Sequence, residues 1–347
     1  MNWLTNFVRP KIQALVSSQK DVPENLWVKC PECEGMLFHR DLDDNEKVCY
    51  HCNFHLAMPV LERFKNLFDD GKFKRVAVPK VNHDPLKFKD QKRYAERLKA
   101  SQAKTKEEDA IIVASGQIGG CETVIAAFNF AFMGGSMGMA VGEGVVTAAK
   151  EAVKRKAALI VIPSSGGARM QEGALSLMQM PRTIIAVEKV KEQGLPYIVL
   201  LANPTTGGVS ASFAMVGDIH IAEPKAMIGF AGKRVIEETI REKLPEGFQT
   251  AEYLLDHGMV DMVLARQKHN EVIGSMLAIL MGKPSPAEKG KKKKNSGTET
   301  DAIANKDVAA SKVAGYTASA VKKASDVNVS TPANTAELKA LKKVATK

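Results

Sequence analysis

Ile162-Pro163-Ser164-Ser165-Gly166-Gly167-Ala168-Arg169-Met170-Gln171-Glu172-Gly173 follows an apolar run, Ala158 to Ile162, and precedes a stretch with helical spacing. Glycines at a strand-to-helix turn let the main chain approach a ligand closely, and the first amides of the next helix point outward. Such amides bind phosphate or stabilise an oxyanion. The Gly-Lys-Ser/Thr ending of a P-loop is absent, and no Gly-x-Gly-x-x-Gly lies in a dinucleotide-binding context. A related turn comes one unit later, Leu201-Ala202-Asn203-Pro204-Thr205-Thr206-Gly207-Gly208-Val209-Ser210-Ala211-Ser212. A third glycine-rich stretch, Met133 to Gly138, precedes Glu143. A single turn of this kind reads as structural punctuation. Two Gly-Gly turns at equivalent positions favour paired amide donors on adjacent loops, suited to an enolate or an amide-derived anion.

Outward from these turns, apolar runs alternate with helical patterns. Strands are expected at Ala110 to Ser115, Thr123 to Asn129, Ala158 to Ile162, Tyr197 to Ala202, Asp218 to Ala222 and Ala226 to Phe230. Several are continuously apolar, as in strands covered on both faces. Helices are expected from about Val141 to Lys156, Leu175 to Gln193 and Val209 to Val216. This order indicates an α/β layered core. Residues 110 to 216 contain no histidine, and Ser164, Ser165 and Ser210 have no recognisable local base. Glu143 and Glu172 are open to acid-base, surface or helix-capping roles.

Nearer the N-terminus, Cys30-Pro-Glu-Cys33 and Cys49-Tyr-His-Cys52 form two CxxC knuckles. Four thiolates at this spacing close a tetrahedral Zn²⁺ site and leave no open position for catalysis by the metal. His39, His51 and His55 lie nearby, either as a substitute ligand or as surface and packing residues. Cys121 reads as a small buried hydrophobe. Between the ribbon and the core, Leu61, Phe64, Leu67 and Phe68 have helical spacing.

Four regions follow from composition: an N-terminal extension at 1–22, the ribbon at 23–56, the main domain at 57–282 and a basic tail at 283–347. The net charge is +10. Fourteen of the 49 basic residues and six of the 39 acidic ones fall in the tail, so the body is nearly neutral. The tail's Lys, Ala, Ser and Thr cannot bury enough apolar surface to offset ordering entropy, and disorder is expected there. The Lys291 to Lys294 run is either a solvated segment or a contact for RNA or DNA. No run of eighteen apolar residues suggests a membrane span, and the N-terminus lacks the features of a secretory signal, so a cytoplasmic protein is expected.

Together, the four-cysteine ribbon, SSGGARMQEG at 164–173 and TTGGVSASFA at 205–214 resemble the β subunits of bacterial acetyl-CoA carboxylase carboxyltransferases, over roughly residues 2 to 282. The resemblance implies a crotonase-like spiral of β-β-α units carrying an N-terminal zinc ribbon with one structural zinc. It implies carboxyl transfer from carboxybiotin, borne on a separate biotin carboxyl carrier protein, to acetyl-CoA, giving malonyl-CoA for fatty acid synthesis. The biotin anion would itself remove the acetyl proton, which suits a core without a histidine base. By motif match, the Gly166 and Gly167 amides would hold the thioester enolate, and Gly207 and Gly208 would line the adjacent pocket for CoA or biotin. One crotonase-like domain is half of such a site. A carboxyltransferase α subunit in an α₂β₂ assembly is therefore implied, together with biotin carboxylase, and ATP and nucleotide binding are expected with them. Competing readings are another acyl-CoA enzyme on this fold, a nucleic-acid-binding ribbon protein and a non-catalytic assembly subunit.

Overall fold

The computed structural model describes residues 26–283. The expected N-terminal extension and the basic tail beyond Lys283 lie outside the described residues. The ribbon opens with strands β1 (Trp27–Lys29) and β2 (Met36–Phe38), paired antiparallel, and helix α1 (His39–Asp44). Its two knuckles repeat one backbone pattern. Cys30 N–H donates to Gly35 O at 2.9 Å and Cys49 N–H to Phe54 O at 2.8 Å. Glu34 and Asn53, each four residues past the first cysteine of its knuckle, are left-handed at φ 59°. The buried apolar residues of this module are Cys30, Leu37, Leu42 and Cys49. So small a core leaves much of the module's stability to a metal.

Helix α2 (Val60–Leu67) joins ribbon to core and buries Val60, Phe64 and Leu67. Leu61 is exposed and Val60 takes the expected inward place. Strand β3 (Phe73–Val76) and helix α3 (Tyr94–Thr105) follow. Then come β4 (Ile111–Ile118), β5 (Cys121–Phe128) and helix α4 (Met139–Arg155). Next are β6 (Ala158–Ile162), α5 (Ala174–Leu177), α6 (Gln179–Glu192), β7 (Tyr197–Leu201) and β8 (Thr205–Thr206). The chain continues through β9 (Ile219–Ala222), β10 (Ile228–Gly229), α7 (Lys233–Ile240), α8 (Ala251–Asp256), β11 (Met262–Val263) and α9 (His269–Leu280).

Seven strands form one mixed sheet in the order β11-β9-β7-β6-β5-β4-β3. Pairing is antiparallel from β3 to β5 and parallel from β5 through β6, β7 and β9 to β11. Every residue of β6 and β7 is buried, and two apolar clusters account for it. One holds Val124, Leu159, Val161, Val199 and the inner residues of α4, and the other holds Ile125, Ile160, Ile198 and Leu200 with Phe64 and Ile273. Alternate side chains of each strand thus enter opposite layers, as the period-2 pleat requires. Cys121 is wholly buried within the second layer.

A second, much shorter ladder runs beside the first. Met137 bridges Ala168, Ser165 bridges Thr205, and β8 pairs parallel with β10. Each repeat therefore sends one strand into the main sheet and a short segment into this second ladder before turning back, which is the β-β-α spiral of a crotonase-like fold. The expected helix at Val209 to Val216 is not formed: the segment is a series of turns ending in a single 3-10 turn at Phe213–Met215. Ser210 Oγ donates to Gly207 O at 2.9 Å and to Gly229 O at 2.8 Å, and Ser212 Oγ donates to Gly208 O at 2.6 Å. These serine bonds to main-chain carbonyls compete with helical hydrogen bonding.

Candidate active site and metal centre

The two Gly-Gly turns meet main chain to main chain. A Cβ placed on Gly207 would lie 3.1 Å from Gly167 Cα, and one on Gly167 would lie 3.3 Å from Gly207 Cα. Both residues also have positive φ, 109° at Gly167 and 62° at Gly207. Glycine is required twice over, for conformation and for space. The third glycine stretch packs against them, because a Cβ on Gly135 would fall 1.9 Å from Ser164 O.

Amide availability divides the four predicted glycines differently from the motif match. Gly166 N–H donates to Gly134 O at 3.0 Å, Gly167 N–H to Ser165 Oγ at 3.0 Å and Gly207 N–H to Phe230 O at 2.8 Å. In this conformation those three amides are engaged. The Ala168 and Gly208 amides have no hydrogen-bond partner among the described residues. A Cβ on Gly208 would lie 3.5 Å from Ala168 Cβ, so the two free amides belong to neighbouring points of the facing turns. The hydroxyls of Ser164, Ser165 and Ser210 all donate to main-chain carbonyls, an arrangement unlike an activated nucleophile.

Beneath the turns lies a buried polar network that the local sequence pattern did not reveal. Arg169, 1% exposed, donates bidentately to Asp109 at 2.7 and 2.9 Å, to Tyr94 Oη at 3.0 Å and to Ser136 O at 2.9 Å. Glu172 accepts from Tyr94 Oη at 2.6 Å, and its other oxygen accepts from Met139 N–H, the first amide of α4, at 2.6 Å. Glu172 is thus the capping carboxylate of a helix distant in sequence, satisfying an amide that has no partner within the helix. Burial pushes the Arg169 guanidinium pKa down, and the hydrogen bonds and charge of Asp109 override it, so the group stays cationic. Burial likewise raises the Tyr94 hydroxyl, which remains a neutral donor. The network ties the 134–136 loop, the 166–168 turn and the start of α4 into one rigid support. Glu143 instead pairs with Arg182 between α4 and α6.

At the ribbon, the Sγ atoms of Cys30, Cys33, Cys49 and Cys52 all lie within 4.8 Å of one another. Cys30 to Cys52 and Cys33 to Cys49 are each 3.8 Å apart. Tetrahedral Zn–S bonds of about 2.3 Å place sulfurs about 3.8 Å apart, so the donor set fits Zn²⁺. His39 pairs with Asp43, and His55 Nε2 accepts from Arg266 N–H at 3.1 Å, so neither substitutes for a thiolate. The zinc is structural, with all four positions filled by cysteine.

A crotonase-like spiral with facing amide turns and a four-cysteine ribbon defines a carboxyl transferase that carries a structural zinc module. Comparison with known proteins agrees. The carboxyl transferase domain family matches residues 66–322, and the acetyl-CoA carboxylase zinc finger domain matches residues 27–52. The acetyl-coenzyme A carboxylase carboxyl transferase subunit beta of Rhizobium meliloti (strain 1021) is 57% identical over 289 residues, 83% of this chain and 95% of that protein. The protein of the same name from Granulibacter bethesdensis is 59% identical over 280 residues, 81% of this chain and 91% of its own length. Among solved structures, transcarboxylase 12S aligns with a TM-score of 0.53 at 25% identity, over 64% of this chain and 41% of that longer one. The chain belongs to the carboxyl transferase family, in company with the acetyl-CoA carboxylase β subunits. The matched families are a transferase domain and a zinc finger, and they lend no support to ATP or nucleotide binding by this chain.

Proposed function

We propose that the chain is the carboxyltransferase β subunit of an acetyl-CoA carboxylase, transferring a carboxyl group from carboxybiotin to acetyl-CoA to give malonyl-CoA. The observation that carries this reading is the pair of free amides, Ala168 and Gly208, on facing glycine turns with no competing side-chain nucleophile. Two such N–H groups suit the oxygen of a thioester as it becomes an enolate, and they are fixed before the reaction by the Arg169 network. Gly166, Gly167 and Gly207 shape the turns in this reading, and the amides of Ala168 and Gly208 are the donors. Biotin, supplied on a carrier protein, brings the carboxyl group and the base. This chain's part is to orient the thioester and hold its developing charge.

The site is completed by a second crotonase-like subunit. Met170, Leu177, Met178 and Phe230 are exposed apolar residues following or flanking the two turns, and Ile185 extends them along α6. Large exposed apolar residues grouped beside a site mark a partner surface. An α subunit in an α₂β₂ assembly fits that surface, with biotin carboxylase and the biotin carrier as further members of the complex. The domain limits, ribbon at 23–56 and carboxyltransferase domain at 57–282, follow from the same reading. Among the described residues no helix is long and apolar enough to cross a membrane, and a cytoplasmic site of action accords with that.

Decarboxylation of malonyl-CoA in the presence of biocytin is the test, run on tagged full-length chain alone and with its copurifying partner. Acetyl-CoA formation only in the complex is expected. A zinc-loaded, partner-bound complex without activity would instead favour the nucleic-acid or scaffold reading.

A further inference from the structure

The ribbon touches the core on both sides of one short turn. On the buried side, Arg266 Nη1 donates to Glu46 O at 2.8 Å and Leu56 O at 3.1 Å, two carbonyls that bracket Cys49 and Cys52. Its main-chain N–H donates to His55 Nε2. The remaining guanidinium nitrogens donate to both oxygens of Glu223, at 2.8 and 2.9 Å, and Arg63 of α2 donates to Glu223 Oε1 at 2.6 Å. Glu223 is 1% exposed. On the outer side, Lys225 Nζ lies 3.1 Å from Glu32, a residue inside the Cys30–Cys33 knuckle. The first knuckle therefore contacts the segment Glu223 to Lys225 directly, through Lys225, and the residues flanking the second knuckle reach Glu223 through Arg266.

That segment leads directly to the active site. Glu223 O accepts from Ala226 N–H at 3.1 Å, which closes the turn at the end of β9. Met227 O then accepts from Thr205 N–H at 2.9 Å, β10 pairs with β8, and Phe230 O accepts from Gly207 N–H at 2.8 Å. The Gly207–Gly208 turn thus hangs on residues 227–230, whose starting point is fixed by contacts with the ribbon.

We propose that Arg266 and Glu223 are positioning residues that couple the seating of the cysteine ribbon to the Gly207–Gly208 turn, so that zinc retention and occupancy of the acyl site favour each other. The inference rests on the proposed acyl-CoA site. Linkage makes such coupling reciprocal: whatever ligand holds the Gly208 amide in place tightens the ribbon's hold on zinc.

The test is an equilibrium competition for zinc between a chromogenic chelator and the full-length chain in its copurified complex, with and without saturating malonyl-CoA. Malonyl-CoA binding is measured in parallel by equilibrium dialysis. In the unaltered protein malonyl-CoA is expected to raise zinc affinity at least about fivefold, the lower end of ordinary allosteric coupling. In Arg266→Met the effect is expected to vanish, although the four cysteines are intact. Should Arg266→Met not fold, Lys225→Ala cuts the exposed contact alone and is expected to reduce the effect. Zinc affinity indifferent to bound malonyl-CoA, or coupling undiminished in Arg266→Met or in Lys225→Ala, would overturn the proposal while leaving the acyl site standing. Failure of malonyl-CoA to bind at all would remove the acyl site and the coupling together.

Discussion

Gly207→Ala separates two effects that glycine substitutions usually confuse. Gly207 has φ 62°, and a Cβ there would lie 3.1 Å from Gly167 Cα, a contact that forces the two turns apart by a few tenths of an ångström. Gly194, in the turn between α6 and β7, has nearly the same φ, 66°, but nothing within 4 Å of its added Cβ. Both alanines suffer the left-handed penalty of about 1–2 kcal/mol. Since a chain of this size loses about 2–4 °C per kcal/mol, both variants should melt about 2–8 °C lower. Only Gly207→Ala shifts the Gly208 amide relative to Ala168. Complete loss of one oxyanion donor lowers kcat by about 10²–10³-fold, and displacements of about 1 Å cost about 10²-fold. A fall of about tenfold to 10²-fold in malonyl-CoA decarboxylation is therefore expected for Gly207→Ala, against less than about twofold for Gly194→Ala. The assays are the decarboxylation reaction on the copurified complex and thermal melting of each variant. Equal activity in the two variants would refute the claim that the facing turns set the donor geometry.

Arg169→Met leaves Asp109 and Glu172 buried without a cation, and breaking such a pair costs about 3–5 kcal/mol. Urea denaturation should show that loss, and a midpoint equal to that of the unaltered protein would refute it. His269, 2% exposed and donating to Leu264 O, is held at a pKa of about 4 by burial, partly offset by Glu223. The unfolded chain binds this proton below about pH 6.5 and the folded chain does not. Stability is therefore full above that pH and declines as pH falls from 6.5 to about 4, by about 3 kcal/mol at most. His55, lowered chiefly by burial, acts in the same direction. His269→Gln should flatten the slope of stability against pH across this window, and an unchanged slope would assign it to other groups. Cys33→Ser should abolish zinc binding, measured by atomic emission, and open residues 30–56 to protease while the sheet domain stays folded.

The readable parts of this protein are those whose cause is local. The thiolate spacing of Cys30, Cys33, Cys49 and Cys52 is a property of two short segments, and the metal's geometry does the rest. Strands β6 and β7 were legible because burial on both faces demands continuous apolar runs, and Ala158–Ile162 has the expected bounds. The failures share the opposite property. Val209 to Val216 has helix-compatible small residues, yet Ser210 is claimed by Gly229 O, nineteen residues away. Arg169 stands in a glycine motif read only for its main-chain amides, and its burial depends on Asp109, sixty residues earlier.

The same physics underlies the proposal that Ala168 and Gly208 are the donors. A Gly-Gly pair signals where main chains approach, because that requires a missing Cβ and a positive φ. It does not signal which amide stays free, because that is decided by acceptors on other loops. Gly134 O takes the Gly166 amide and Phe230 O takes the Gly207 amide. The residue after each engaged amide pair or partner, Ala168 in one turn and Gly208 in the other, is left with its N–H unclaimed. Alanine is tolerated at 168 because the close approach is borne by Gly167 and Gly207. In that proposal the chemistry of a glycine-rich motif falls on a neighbouring residue that does not need to be glycine.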